Sequence, residues 1–151
     1  MNLRTIKITA VAIIMLTHFA SMQCFAAETP KEVVARFCKL DFAGHRLSSA
    51  SYPQIAPLVM YPEESGWDTV LGVSKYEIRN QTIEGKAAKV TVYYEIDRAW
   101  PLEMERINEL SNATFNLKQE NGTWKISECV GQPRVSSDYL CIKYKYCSTG
   151  S

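Results

Sequence analysis

The sequence predicts an α+β domain: a curved antiparallel sheet wrapped around an N-terminal helix, with a short second helix between them. Three observations predict it. An amphipathic helical stripe runs through residues 29–47, the apolar period changes from helical to two after "YPEESG", and Asn121-Gly122 marks a tight hairpin between two alternating runs. Helices followed by a run of strands is an α+β order.

Residues 1–26 stand outside this domain. Arg4 and Lys7 precede the apolar run "ITAVAIIML", and small residues follow at "CFAA". A positive start, a short apolar core and a small-residue exit make a secretory signal peptide. Cleavage after Ala26 puts Cys24 and Ala26 at the small-residue positions, and Met22-Gln23 are large for a lipid-attachment signal at Cys24. The apolar run is shorter than the about 20 residues that a comfortable membrane span needs. The expectation is an exported protein, periplasmic or secreted, with one domain over residues 27–151 and no membrane span in the mature chain.

Thr29 can cap the first helix, Pro30 suits its first turn, and Glu32 sits where the helix dipole favours an anion. Val33, Val34, Phe37, Cys38 and Leu40 form one stripe, and Gly44 can end it. Asp41, four residues from Phe37, continues that apolar stripe. Ser51-Tyr52-Pro53 opens the short second helix, with Ile55, Leu58 and Val59 apolar.

In "GWDTVLGVSKYEI", Leu71 and Val73 share one phase and Tyr76 and Ile78 the other, so the slip at Ser74-Lys75 predicts a β-bulge. "AAKVTVYYEID" alternates cleanly, with Ala88, Val90, Val92, Tyr94 and Ile96 on one side. A three-residue loop, Glu84-Gly85-Lys86, sets Ile78 opposite Val92 and Tyr76 opposite Tyr94; a two-residue loop would set Ile78 against Thr91 and mix the faces. At Asn121-Gly122 a two-residue loop pairs Leu117 with Ile126, Gln119 with Trp124 and Phe115 with Glu128. Between the hairpins, Pro101 interrupts the strand and "RAWPLEMERINELSN" predicts a helical turn or a long excursion. In the tail, Leu140, Ile142, Tyr144 and Tyr146 alternate as in a strand, yet Ser136 or Ser137 can cap a helix, and a short helix is the expectation.

Charge and cysteine content bound the function. The chain has 17 Lys+Arg against 16 Asp+Glu, and loss of Arg4 and Lys7 leaves the domain nearly neutral without a basic cluster. That argues against nucleic acid and against electrostatic binding to an anionic membrane. Beyond Cys24, the cysteines are Cys38, Cys129, Cys141 and Cys147, an even number that predicts two disulfides with the pairing open. No CxxC pair occurs and His45 is the domain's one histidine, so neither a metal centre nor another cofactor is expected.

On the helix ending "FCKLDFAGHRL", the second helix "SYPQIAPLV" and the strands beginning at "GWDTVLGVSKYEI", the chain resembles the NTF2-like fold of the SnoaL-like or cystatin-like superfamily, over about residues 30–146. It is also similar to small exported NTF2-like proteins of unassigned function that carry "GWDT" and "GTWKI" segments. The resemblance implies a cone of sheet and helix with a pocket at its open end. Such pockets serve steroid isomerases, dehydratases and polyketide cyclases, and also non-catalytic binding modules, so the fold does not select a chemistry. The isomerase pattern needs a tyrosine on the first helix, and residues 30–47 contain none.

Asp41, Glu128 and His45 are the candidate catalytic groups. Asp41 is either a general base at the mouth of the cone, raised in pKa by apolar neighbours, or an exposed acid near the helix end or a partner for Arg46. His45 can pair with it across one helical turn or stand in solvent. Glu128 either lines a pocket or lies in water beyond the core. Asp68 either accepts hydrogen bonds from turn N–H groups or orients a ligand between Tyr61 and Trp67. Tyr94, Phe115 and Trp124 are core aromatics or cavity lining. The first expectation is non-catalytic binding of a small apolar molecule or a protein partner, a second copy of the chain included. The alternatives are an isomerase or dehydratase with Asp41 as base, and an immunity or inhibitor module using the sheet's open face.

Overall fold

A computed structural model describes residues 27–63, 66–101 and 109–144. The expected signal-peptide segment, residues 102–108 of the excursion expected over 98–112, and Cys147 lie outside these residues; residues 98–100 and 109–112 of that stretch are strand instead. The first helix, α1 (Pro30–Phe42), is followed by 3-10 turns at His45–Leu47 and Ser49–Ser51, by α2 (Tyr52–Ile55), and by another such turn at Ala56–Leu58. The strands are β1 (Val70–Glu84), β2 (Ala87–Trp100), β3 (Glu109–Glu120), β4 (Thr123–Ile126) and β5 (Arg134–Ser136), and α3 (Ser137–Tyr144) follows them.

The capping signals at the start of α1 all act. Thr29 Oγ1 accepts from the Glu32 N–H, and the Glu32 carboxylate accepts from the Thr29 N–H at 2.7 Å, a complete capping box. Such a cap stabilises a helix by about 1 kcal/mol. At the other end, Gly44 takes φ +81°, where side chains strain.

The strands form a curled half-barrel in the order β4-β3-β2-β1-β5. The expected wholly antiparallel sheet is corrected here: β5 runs parallel to β1, with Leu71 opposite Arg134 and Val73 opposite Ser136. Residues 127–133 carry the chain from the β4 edge to the opposite edge, and a strand arriving that way can run parallel to its neighbour.

In the first hairpin Tyr76 faces Tyr94 and Ile78 faces Val92, as the alternation requires. The loop differs from expectation. Glu84 pairs with Ala87, so the turn is the two-residue Gly85-Lys86, and a second bulge between Ile78 and Asn80 leaves Arg79 without a partner in the ladder. That extra residue makes up for the shorter loop and keeps the faces unmixed. Irregularities at Val73–Lys75 fall where the phase slip predicts a bulge. In the second hairpin Leu117 faces Ile126 and Gln119 faces Trp124. The ladder stops at Ile126, so Glu128 does not pair with Phe115.

The buried face of α1 packs on the sheet. Val33, Val34, Phe37 and Cys38 meet Val90, Val92, Tyr94, Phe115, Leu117, Trp124 and Ile126 in one cluster. Phe37 and Phe115 meet edge to face, their centroids 5.6 Å apart. Ile55, Leu58 and Val59 close the cluster, and the Met60 N–H donates to the Ile126 carbonyl at 2.9 Å. That bond occupies the outer edge of β4, an edge that would otherwise invite pairing with another chain. A smaller cluster of Val70, Val135 and Leu140 seats α3, whose start is capped by Ser136 Oγ accepting from the Tyr139 N–H. Gly72 permits this approach, since a Cβ there would lie 2.8 Å from Leu140 Cδ1.

Candidate functional site

Asp41 lies at the end of α1 and is 1 % exposed. Its Oδ2 accepts from Arg46 Nη1 at 3.3 Å, and its Oδ1 accepts from the Arg134 backbone N–H at 3.1 Å. Arg46 Nη2 donates to the Gly131 carbonyl at 2.9 Å and lies 3.6 Å from Cys129 Sγ. The same guanidinium sits over the Phe37 ring at 5.3 Å and the Trp67 ring at 4.8 Å. Arg134 donates through Nη1 to the carbonyls of Val130 and Gln132 and lies over the Tyr94 ring. One carboxylate thus ties α1, the 45–47 turn and β5 together.

Burial pushes the Asp41 carboxyl up to about 6, against the opposing pull of Arg46 and the Arg134 N–H. A general base must reach the proton it removes. Asp41 is sealed from solvent and bonded on both oxygens, so the helix stripe reads here as an ion-pair anchor. His45 is half-buried on its 3-10 turn; its Nδ1 has no hydrogen-bond partner among the described residues, and Asp41 pairs with Arg46 instead. Glu128 is exposed and accepts from Asn116 Nδ2. No hydrogen bond joins the three candidate acid–base groups among the described residues.

The cysteines correct a second expectation. Cys38 and Cys129 are free thiols. Cys38 faces the sheet from α1, its Sγ 3.2 Å from the Tyr94 hydroxyl, and burial pushes its thiol up to about 12. The Tyr94 hydroxyl is likewise pushed upward, by burial first and then by Cys38. Cys129 is exposed on the 127–133 crossover. The core holds Cys38 against Tyr94, so Cys38 takes part in neither of the two expected disulfides. Cys141 lies on α3.

An open concavity lies elsewhere. A cleft of about 390 Å³ lies where the 3-10 turns, the approach to β1, the end of β2 and the end of α3 meet. Tyr52, Trp67, Trp100 and Tyr144 line it, with Leu47 and Val70 as further apolar contacts. Trp100 and Tyr144 stack with centroids 4.7 Å apart and planes 24° apart, so a strand end and a helix end present one aromatic wall. The Tyr52 hydroxyl donates to the Tyr61 carbonyl at 2.6 Å, which fixes that ring. Polar groups come from Ser48, Ser49 and Glu63. Arg46 borders the cleft, but its side chain is 0 % exposed and paired with Asp41, so it offers no free positive charge to a ligand.

Of the aromatics and acids singled out from the sequence, Trp67 lines this cleft. Tyr61 is half-buried against the core and takes part through its carbonyl; Asp68 is exposed and makes no hydrogen bond among the described residues. Tyr94, Phe115 and Trp124 are buried in the main core beneath α1. Sequence reasoning passed over Tyr52 and Tyr144 as site residues and read Trp100-Pro101 as a rim or strand-end feature. Trp100 carried a faint signal, an aromatic at a strand end beside Pro101; Tyr144 carried none, since its partner lies 44 positions back in the chain.

Comparison with known proteins finds no match. No family model, curated protein or solved structure is significantly similar to this chain. Among the described residues, no helix is long and apolar enough to cross a membrane, and no group of His, Cys, Asp and Glu is arranged to hold a metal ion.

Proposed function

We propose that this chain is an exported NTF2-like domain that binds a small molecule, without chemistry, in the aromatic cleft. One observation carries the reading. This cleft is walled by aromatic rings and lacks Asp41, the carboxylate best placed in sequence to act as base, which is held in a buried ion pair. A cleft with apolar walls and a few polar groups is the usual form of a ligand site, and its volume falls within the usual few hundred to about 1,000 Å³. The order of helices and strands, with α1 packed on the sheet, supports the NTF2-like reading. Export rests on the residue pattern of 1–26. With Cys38 and Cys129 free, Cys141 and Cys147 are the pair left for a bridge near the C-terminus.

Mass spectrometry of small molecules released from protein taken from its native compartment tests the proposal. A compound should leave with the wild-type chain and be lost from Trp100→Ala. Equal recovery from both proteins, or none from either, would overturn binding at this cleft. The isomerase or dehydratase alternative requires Asp41 to reach a substrate, which its burial opposes.

A further inference from the structure

We infer that the ligand of this cleft is a neutral sugar ring, a small saccharide that lays an apolar C–H face on the aromatic wall and offers its hydroxyls to the polar rim. This rests on the binding reading above and names the chemistry that the lining selects.

The aromatic wall excludes little by itself, because a flat ring face accepts any apolar surface. The charges narrow the choice. Glu63 is exposed at the cleft, whereas Arg46 is buried and neutralised by Asp41. An anionic ligand would meet a like charge and no exposed counter-charge from Arg46. A cation would be drawn to Glu63, but Trp67 already carries the Arg46 guanidinium 4.8 Å over its ring. An aromatic ring attracts cations through its electron-rich faces, and one already engaged by a guanidinium has less to offer a second.

The polar groups narrow it further. Ser48 occupies the cap position of the Ser49–Ser51 turn but makes no capping bond, so its hydroxyl is left to the cleft. Ser49 adds a second hydroxyl and Glu63 an acceptor. The Trp67 Nε1–H is buried and has no acceptor among the described residues, an unmet donor on a residue that lines the cleft. Serine hydroxyls both donate and accept, a carboxylate accepts, and an indole N–H donates. Hydroxyl groups, which do both, can satisfy all of them. A wholly apolar ligand would cover these groups and leave them unpaired, a cost that a polyol avoids.

The experiment exposes the purified full-length mature protein to an array of neutral mono- and oligosaccharides, with tetramethylammonium, benzoate and cyclohexanol as competing chemistries. Intrinsic tryptophan fluorescence and calorimetry provide the readouts. At least one neutral saccharide should bind saturably. Trp100→Ala should weaken it about tenfold or more, as loss of a stacking wall does. Glu63→Gln, an exposed position whose change leaves the core intact, should weaken it several-fold without abolishing it. Saturable binding of a competing probe with no saccharide bound would overturn the sugar assignment while leaving a binding cleft. Binding of nothing, together with no co-purifying compound, would overturn the cleft reading itself. A saccharide bound with equal affinity by wild type, Trp100→Ala and Glu63→Gln would place the sugar elsewhere and also overturn the assignment.

Discussion

The Asp41 cluster and the aromatic cleft share one wall, Trp67, and are built on opposite terms. Behind that ring, Asp41, Arg46 and Arg134 are buried, and their charges are met by one another and by the carbonyls of Val130, Gln132 and Gly131. In front of it, rings, hydroxyls and a carboxylate stand open. Both regions combine aromatic and polar residues, so residue type does not tell a structural cluster from a binding site. What separates them is whether the charged groups already have partners, although Arg134 Nε makes no hydrogen bond among the described residues. Buried polar groups that are satisfied hold the fold together, and groups left without partners are where a ligand can gain.

The sharpest way to break this comparison is Asp41→Ala. It leaves Arg46 buried without its counter-charge and the Arg134 N–H without its acceptor. Removing one partner of a buried pair costs about 3–5 kcal/mol. Urea unfolding should show a loss of that size; a loss below about 1 kcal/mol would mean that Arg46 finds water easily and that the cluster is not sealed.

A pH series is the next test. The Asp41 carboxyl, raised from 3.8 to about 6, holds its proton in the folded state where the unfolded chain has lost it. Its favourable contribution is therefore fully present below about pH 4 and is lost as pH rises through about 6, a change of a few kcal/mol at most. The stability of wild type relative to Asp41→Asn should fall between pH 4 and pH 7. A rise over that window would show that Arg46 and the Arg134 N–H outweigh burial.

On the cleft side, Trp100→Ala should cost stability far less, about 1 kcal/mol, because it removes a half-buried ring and its stack on Tyr144. An unfolding curve shifted as far as that of Asp41→Ala would assign the wall to the structural core. The smallest effect belongs to Cys129→Ser, which should change stability by no more than about 0.5 kcal/mol, as surface substitutions do. In the native protein iodoacetamide should modify Cys129 and spare Cys38; modification of Cys38 at a similar rate would place that thiol outside the core.

How much of this was legible in the sequence depended on the range of the interaction. The capping box of Thr29 and Glu32 spans three positions, and the Asn121-Gly122 hairpin sets its own register, so both could be read locally. The first hairpin's facing pairs followed from alternation, but its loop did not, because a shorter turn and an extra residue at Arg79 give the same pairing as a longer turn without the bulge. Asp41 stood visibly on an apolar stripe. Its burial could be suspected, yet the stripe said nothing of Arg134, 93 positions away.

The sequence by itself determined where the helices and hairpins form and which of their faces are apolar. Those properties depend on neighbours a few residues apart, through periodicity, capping and turn chemistry. Only the tertiary structure decided that β5 crosses to the far edge and runs parallel, that Cys38 meets Tyr94 rather than another cysteine, and that Tyr52, Trp67, Trp100 and Tyr144 enclose one cleft. These depend on which distant surfaces meet when the elements pack, and local patterns carry no record of that choice.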